Sequence, residues 1–183
     1  MPKYIALFRG INVSGKNKIR MIELKALCEE LGYQEVTTYL QSGNVVFKTS
    51  TKSKPRQLAK DIAIRIKATF DYDVSVLVIS ENDIHRVHKN NPFINKENSD
   101  TSGCYVTFLF NPSPKELAEI LSLPPKETGR FHSCDNEVYV NCPDGYGKTK
   151  INNQFFEKRL KTSATTKNWN TIKALLDLVS KDE

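Results

Sequence analysis

Residues 10 to 17, Gly-Ile-Asn-Val-Ser-Gly-Lys-Asn, have the composition of a phosphate-binding glycine loop. Two glycines and a lysine have the usual spacing of a P-loop, but Asn17 stands where serine or threonine would hold magnesium. In such a loop the glycines let backbone N–H groups approach a phosphate, and the lysine adds a positive charge. The segment follows an apolar run, Tyr4 to Phe8, and precedes a helical pattern from Met21. This glycine-lysine loop therefore predicts an anion-binding site, although a purely structural glycine turn explains it equally well.

Nucleotide hydrolysis is not predicted for this loop. Asn17 is a poor substitute for the hydroxyl group that binds magnesium in a nucleotide hydrolase. The next two strand patterns are typical of a hairpin rather than a parallel sheet, and no acidic residue ends an apolar strand as a second magnesium ligand would. The sequence therefore predicts no reaction and identifies no cofactor.

A second loop of glycine and basic residues, Gly145 to Lys150, precedes another predicted helix. It contains Lys148, but a complete P-loop would need glycine in place of Cys142. Residues 1–20 carry five basic and no acidic side chains, and residues 145–170 carry six basic side chains and one acidic. If the fold brings these two segments together, they form one anion-attracting surface; otherwise they are two solvated loops.

Trp169, the only tryptophan, lies between Asn168 and Asn170 at the start of a predicted helix. An indole can stack on a nucleic-acid base while neighbouring amides bind its polar edge. The alternative is that Trp169 anchors the terminal helix in the core. His85 and His88 lie three residues apart on another predicted helix, but their polar neighbours indicate a solvated face, so no metal site is predicted.

The composition is that of a globular protein, with 183 residues, 39% of them hydrophobic, and a formal net charge of +6. The first apolar run, Tyr4 to Phe8, is too short for a signal peptide or a membrane span. The four cysteines have no CxxC spacing, and we expect all of them to be reduced. These features predict a cytoplasmic protein without membrane contact and leave its oligomeric state open.

Strand and helix patterns alternate along residues 1–89. Strands are indicated at Tyr4 to Phe8, Val36 to Gln41, Asn44 to Lys48 and Val74 to Ile79. Apolar residues recur at helical spacing from Met21 to Leu31 and from Leu58 to Phe70, and Ser80 can cap a short helix that reaches about Lys89. The resulting order, β-α-β-β-α-β, is that of the ferredoxin-like unit.

A second unit of the same type is predicted after a polar connection over residues 90–102. Residues 103–183 contain a strand from Gly103, a helix capped by Ser113, a hairpin turn at Asp135-Asn136 and a helix from about Asn152. The last strand of the first unit has no counterpart in this pattern, and a final amphipathic helix from Trp169 follows instead. We therefore predict an α+β protein made of two ferredoxin-like halves packed into one compact body.

An RNA-recognition module has the same element order, but it presents aromatic side chains on its two central strands for base stacking. Here the predicted third strand offers only Phe47. The runs from Tyr4 to Phe8 and from Gly103 to Phe110 are apolar on both faces, as in sheets that are covered on both sides. RNA recognition through an open sheet face is therefore disfavoured.

Several segments together resemble the bacterial family known as domain of unknown function 1697: Tyr4 to Asn17, Tyr39 to Phe47, and Pro143 to Lys148 with Asn168 to Thr171. The resemblance implies a compact cytoplasmic α+β protein and no established activity. The family's signature segments contain Arg9, Gly10, Asn12, Gly15, Lys16, Ser42, Gly43, Asn44, Gly147, Lys148, Asn168, Trp169 and Asn170. Segments rich in glycine and polar residues are typical of a shared binding cleft, although turn chemistry also explains several of the glycines.

The sequence thus leads to the hypothesis of a binding protein, or an enzyme of unknown reaction, whose small ligand carries phosphate, as a nucleotide does. The predicted ligand-binding residues are Arg9, Asn12, Gly15, Lys16, Ser42, Asn44, Lys148, Asn168, Trp169 and Asn170. The alternative is a module that uses the same basic surface to bind nucleic acid or an acidic protein partner.

Overall fold

The chain forms eight strands and five helices within the residues that the computed structural model describes, which are 1–13, 15–41, 43–94, 100–111 and 122–181. The strands are β1 (Lys3–Arg9), β2 (Gln34–Thr38), β3 (Asn44–Lys48), β4 (Ser75–Ser80), β5 (Cys104–Leu109), β6 (Arg130–Cys134), β7 (Glu137–Asn141) and β8 (Ala164–Asn168). The helices are α1 (Met21–Glu30), α2 (Pro55–Phe70), α3 (Glu81–Lys89), α4 (Asn153–Leu160) and α5 (Trp169–Ser180). None of these described helices is long and apolar enough to cross a bilayer.

Strands β1 to β4 form an antiparallel sheet in the order β2-β3-β1-β4. Side chains alternate along β1, so that Ala6 and Phe8 pack with the apolar sides of α1 and α2 while Ile5 and Leu7 point to the opposite face. All four side chains are at most 1% exposed. Both faces of this central strand are therefore covered, as the apolar run predicts.

Strands β5 to β8 form a second antiparallel sheet in the order β6-β7-β5-β8. If the strands are numbered within each sheet, both sheets have the order second, third, first, fourth. This is the strand order of the ferredoxin-like unit. Phe155 and Phe156 of α4 pack with Val138 and Val140 on one face. On the other face, the Tyr139 hydroxyl donates a hydrogen bond to a carbonyl group of α3 (3.1 Å). The α+β fold with two ferredoxin-like halves is thus confirmed.

Two strand predictions differ from the structure. The final strand of the second half is present as β8, although the sequence pattern did not predict it. Its sequence, Ala-Thr-Thr-Lys-Asn, is polar, and only its threonines favour a strand. Strand β2 ends at Thr38 rather than Gln41. Leu40 has a left-handed backbone conformation, with a φ of 59°, which is incompatible with an extended strand. The helix predicted from Ser113 lies outside the described residues.

The contacts divide the chain into two units that do not simply follow each other in sequence. The first unit contains Met1–Arg86 and the stretch from Leu175 onward, and the second unit contains Val87–Ala174. Helix α5 therefore begins in the second unit and ends in the first. There the Lys3 ammonium group donates a hydrogen bond to the Val179 carbonyl, which ties the terminal stretch to β1.

Candidate anion-binding site

The glycine-lysine loop, Gly10 to Asn17, forms a tight turn rather than the open cradle of a P-loop. The Lys16 N–H donates to the Val13 carbonyl (3.0 Å), and the Asn12 N–H donates to the Asn17 carbonyl (3.2 Å). Gly15 has a φ of 76°, which glycine adopts without strain. Because these N–H groups bond within the turn, they cannot surround a phosphate as the N–H groups of a P-loop do.

The Asn12 side chain holds this loop in place with three hydrogen bonds. Its amide nitrogen donates to the carbonyls of Ile19 (2.8 Å) and Gln41 (2.7 Å), and its amide oxygen accepts from the Ile19 N–H (2.9 Å). Asn12 has a φ of 53°, a left-handed conformation that asparagine tolerates better than most residues. The side chain therefore positions the loop, the start of α1 and the β2–β3 connection relative to one another.

The predicted Ser42-Gly43-Asn44 turn lies against the same loop. A Cβ atom added at Gly43 would be 2.3 Å from Ile11 Cδ1, and the Phe8 N–H donates to the Gly43 carbonyl (3.4 Å). Asn44 is fully buried, and its amide nitrogen donates to the Tyr39 carbonyl (2.8 Å). Ser42 itself lies outside the described residues. The structure thus brings these two signature segments of the first half together.

A cavity of about 430 Å³ opens beside these segments, at the beginning of α1. Among the described residues, those that line it are Asn12, Gly15, Lys18, Ile19, Arg20, Met21 and Gln41. Of the predicted residues, Asn12 and Gly15 belong to this lining, whereas Arg9, Lys16 and Asn44 do not. The sequence analysis counted Lys18 and Arg20 only as part of a basic segment, although their position directly before a helix start was a signal that could have singled them out.

Arg20 already has a carboxylate partner at the mouth of α1. The Arg20 guanidinium lies 2.6 Å from Glu23 Oε1, and the backbone N–H of Arg20 donates to Glu23 Oε2 (3.1 Å). These hydrogen bonds from Arg20 hold the pKa of the Glu23 carboxyl below its ordinary value. The Glu23 N–H bonds the Arg20 carbonyl, so the N–H groups of Met21 and Ile22 precede the first intrahelical hydrogen bond. Together with Lys18, these groups give the cavity a positive side.

The Gly145 to Lys150 loop borders a smaller cavity of about 230 Å³ in the second unit. The Lys148 N–H donates to the Gly145 carbonyl (3.1 Å), so this loop also folds as a turn. Glu127 accepts a hydrogen bond from the Lys150 N–H (2.7 Å), which lowers the pKa of its carboxyl. The lining contains three lysines but also Glu127 and Asp144, and these carboxylates cancel much of the positive charge.

A family model described as "Protein of unknown function (DUF1697)" matches residues 1–139. The chain belongs to this family. A solved structure, that of the conserved bacterial protein SP0830 from Streptococcus pneumoniae, is similar with a TM-score of 0.74 and 23% sequence identity. The match covers 97% of this DUF1697 chain and 98% of that chain, and at this identity it shows a common fold alone. No curated protein matches the sequence.

The DUF1697 match includes both segments beside the larger cavity and ends before Lys148 and Trp169. Trp169 is 4% exposed, and its ring stacks on that of His88 with 5.2 Å between the centroids. The Asn168 Oδ1 atom accepts a hydrogen bond from the Thr171 N–H (2.8 Å) and so caps α5. These contacts within the second unit favour structural roles for Trp169 and Asn168, while Asn170 is exposed on the first turn of α5.

Lys167, on β8 of the DUF1697 chain, is an unusual group that the sequence did not single out. It is 6% exposed, and burial lowers its pKa from 10.5 to about 8. In the sheet register, Lys167 and Tyr139 flank Val106 from opposite sides. Lys167 does not line either of the two cavities described above, so its burial alone assigns no site. Nor do the described residues place three histidine, cysteine or acidic side chains together as a metal site requires.

Proposed function

We propose that the protein binds a small phosphate-bearing ligand, such as a nucleotide, in the 430 Å³ cavity at the start of α1. The observation that carries the proposal is the position of Lys18 and Arg20 around this cavity, next to the first turn of a ten-residue helix. Backbone N–H groups and the dipole at a helix start attract an anion, and the two basic side chains add to that attraction. The volume lies within the ordinary range of small-molecule sites.

The cavity residues divide into groups that shape the site and groups that meet the ligand. Asn12 uses its amide on the backbone, so it fixes the distance between the α1 start and Gln41. Lys18 is exposed and is the side chain that would meet a phosphate first. In the absence of ligand, Arg20 forms an ion pair with Glu23. An incoming phosphate would share the Arg20 guanidinium with the Glu23 carboxylate or displace that carboxylate.

No reaction is part of the proposal. The described lining residues of the cavity include no histidine, cysteine or carboxylate that could act as a nucleophile or general base. The proposal does include a cytoplasmic location, because all four cysteines are free thiols and three of them are buried.

The alternative proposal is that the basic surface around Lys16, Lys18 and Arg20 binds nucleic acid or an acidic partner. These three side chains are exposed, and they belong to the basic segment of residues 1–20. Binding of a polyanion weakens steeply as salt rises because counterions are released, whereas binding of a small ligand in a cavity weakens much less. Salt dependence therefore separates the two proposals.

Isothermal titration calorimetry at low and high salt tests the proposal directly. The ligands are mononucleotides, dinucleotide cofactors, sugar phosphates and short oligonucleotides. We expect saturable binding of one small phosphate compound at both salt concentrations, and binding at least about tenfold weaker in the Lys18→Ala/Arg20→Ala double variant. Binding of oligonucleotides alone, lost at high salt, would replace the proposal with the alternative.

A matched control removes the same two kinds of charge elsewhere in the first unit. Arg56 and Lys60 are both exposed on α2, so the Arg56→Ala/Lys60→Ala variant lowers the net charge equally without touching the cavity lining. We expect this variant to bind like the unmodified protein. Equal losses in the two double variants would show that only net charge matters, and the cavity assignment would then be wrong.

A further inference from the structure

We infer that an exposed basic surface in the first unit binds the phosphate backbone of double-stranded nucleic acid, without regard to base sequence. Its cations lie in the connection before α2 and on the first half of that helix, and they are Lys52, Lys54, Arg56 and Lys60. We call this group the α2 surface. It is separate from the cavity at the start of α1, which belongs to the proposed small ligand.

The charge of the α2 surface is not neutralised by carboxylates of the protein. The chain contains no acidic residue over residues 36–60, and the four cations, all exposed, fall within residues 52–60. In the part of the chain that the structure describes, none of these four side chains has a hydrogen-bond or ion-pair partner. The carboxylate that follows them, Asp61, accepts a hydrogen bond from Gln57 (2.8 Å). Four positive charges are therefore presented together to the solvent.

The basic residues on the second half of α2 are paired, in contrast to those of the α2 surface. Arg65 forms an ion pair with a glutamate of α1 (3.0 Å), and Lys67 forms ion pairs with two aspartates that follow α2 (2.9 Å each). Cations are favourable at the end of a helix and unfavourable at its start, and α2 has no acidic residue in its first turn. Arg56 and Lys60 also lie four residues apart, where like charges repel. Helix stability thus does not explain the α2 surface, whereas a bound polyanion offsets the repulsion.

The α2 surface and the α1 cavity lie near opposite ends of the first sheet. Strands β1 and β3 are antiparallel neighbours, α1 follows β1, and α2 follows β3. The Thr49 N–H donates to the Pro2 carbonyl (3.3 Å), so the connection before α2 lies beside the beginning of β1. Lys18 and Arg20 instead follow the end of that strand. Substitutions can therefore test the two basic surfaces separately.

The composition around the four cations favours a duplex backbone over other polyanions. Ser50, Thr51 and Ser53 lie among the lysines, and hydroxyl and basic side chains are groups that contact phosphate oxygens in nucleic-acid complexes. Residues 48–60 contain no aromatic side chain that could stack on the bases of a single strand. A helix that binds a membrane buries several large apolar side chains, but among the described residues of α2 only Ile64 is both large, apolar and strongly exposed.

Fluorescence anisotropy with a labelled DNA duplex of about 20 base pairs measures this binding as salt is raised. Each phosphate contact contributes about 0.9 to the slope of log affinity against log salt, so four contacts give a slope of about −3.6. Affinity should fall about a hundredfold between about 50 and 200 mM salt. Two duplexes of unrelated sequence should bind equally, and a single strand of the same length should bind more weakly.

Lys52→Ala/Lys54→Ala removes two of the four cations and no described side-chain contact. This variant should lower the magnitude of the salt slope by about 1.8 and weaken duplex binding at least about tenfold at low salt. Lys89→Ala/Lys173→Ala is the matched control, because it removes two exposed lysines from α3 and α5. The control should keep the slope and the affinity of the unmodified protein, and circular dichroism checks that both variants are folded.

Arg56→Ala/Lys60→Ala separates the duplex from the small ligand. The variant removes the other two cations of the α2 surface, so it should weaken duplex binding as Lys52→Ala/Lys54→Ala does. Small phosphate compounds should bind it like the unmodified protein, since one phosphate group meets only one cation of this open surface at a time. Duplex binding that is unchanged in both of these variants would overturn the inference and leave the α1 cavity untouched.

The remaining outcomes also overturn the inference. Equal weakening in Lys89→Ala/Lys173→Ala would show that only net charge matters. Loss of duplex binding in Lys18→Ala/Arg20→Ala alone would assign the duplex to the basic segment of residues 1–20. Tighter binding of the single strand would indicate contact with bases rather than with a duplex backbone. Binding of polyglutamate or anionic lipid vesicles as tightly as the duplex would assign the α2 surface to another class of polyanion.

Discussion

Replacing Gly43 by alanine should destabilise the protein severely, because two separate costs arise at this position. Gly43 has a φ of 80°, where an L side chain costs about 1–2 kcal/mol of free energy of unfolding. The new Cβ atom would also lie 2.3 Å from Ile11 Cδ1 and 3.2 Å from Phe8 Cβ. Both neighbours are at most 1% exposed and cannot move without repacking, which typically costs about 1–3 kcal/mol. We expect a total loss of about 2–5 kcal/mol.

Gly10→Ala isolates the backbone cost. Gly10 has a φ of 79°, nearly the same as Gly43, but a Cβ atom added there would meet nothing within 4 Å. Its loss of stability should therefore be only the backbone cost of about 1–2 kcal/mol. Urea unfolding followed by circular dichroism measures both variants, and the difference between them gives the steric cost directly.

Ile11→Val tests the identity of the clashing atom. Valine lacks the Cδ1 atom that lies nearest to the new Cβ but keeps a γ-carbon where Ile11 Cγ1 lies 2.8 Å from it, so it relieves the clash only in part, and the single substitution should itself cost about 1 kcal/mol. In combination with Gly43→Ala, the loss should be smaller than the sum of the two single losses by about 0.5 kcal/mol or more. The reasoning would be refuted if Gly43→Ala were no more destabilising than Gly10→Ala, or if the two losses were simply additive.

Three further predictions follow from the contacts and burial described above. Asn12→Ala should lower the free energy of unfolding by about 2–3 kcal/mol in urea, because three hydrogen bonds to backbone groups are lost; a loss below about 1 kcal/mol would contradict this role. Between about pH 8 and 10.5 the unfolded chain binds more protons than the folded chain at Lys167, so stability should rise with pH by up to about 3 kcal/mol, and Lys167→Met should lack this increase. Cys134 is partly exposed and should react first with a thiol reagent, whereas Cys28, fully buried and with a pKa raised to about 12, should react last; mass spectrometry of partly labelled protein identifies the order.

The elements that the sequence predicted well are those whose local signals agree with their tertiary environment. Helix α2 has apolar residues at helical spacing and buries Leu58, Ile62 and Ile66 as that spacing requires. Ser80 begins α3 through a reciprocal pair of hydrogen bonds with Asp83, which is a local motif that needs no partner elsewhere in the chain. The end of α2 and both ends of α3 could be placed within one or two residues, whereas α2 begins three residues before Leu58.

Strand β8 could not be predicted because its burial contradicts its composition. Lys167 is almost fully buried, and Thr166 bonds the hydroxyl of Thr107 (2.7 Å) and the side chain of Asn153 (2.6 Å). Thr166 gains these hydrogen-bond partners only after β5 and α4 lie beside the strand. The pKa of Lys167 is likewise lowered only once folding buries its side chain. A local pattern contains no information about those distant partners.

For the candidate site as well, the local sequence pattern predicts only some of the residues that line the cavity. The glycine-lysine loop and the turn near Gly43 were correctly placed between strands and before a helix, and Asn12 and Gly15 line the cavity. The P-loop spacing points to Lys16, but the Lys16 N–H donates to the Val13 carbonyl within a turn, and Lys16 is not among the lining residues. The turn type, rather than the spacing, determines which lysine borders the cavity.

The division of the chain between its two units has a consequence for the order of synthesis. Strand β1 is synthesised before the second unit, yet its own unit also contains the stretch from Leu175 onward, and the contact between Lys3 and Val179 joins residues 176 positions apart. Every residue of the second unit is synthesised before that contact can form. The first unit therefore completes its contacts only after the second unit has been synthesised, and a cut at the border near Arg86 would separate the first unit from its own last segment.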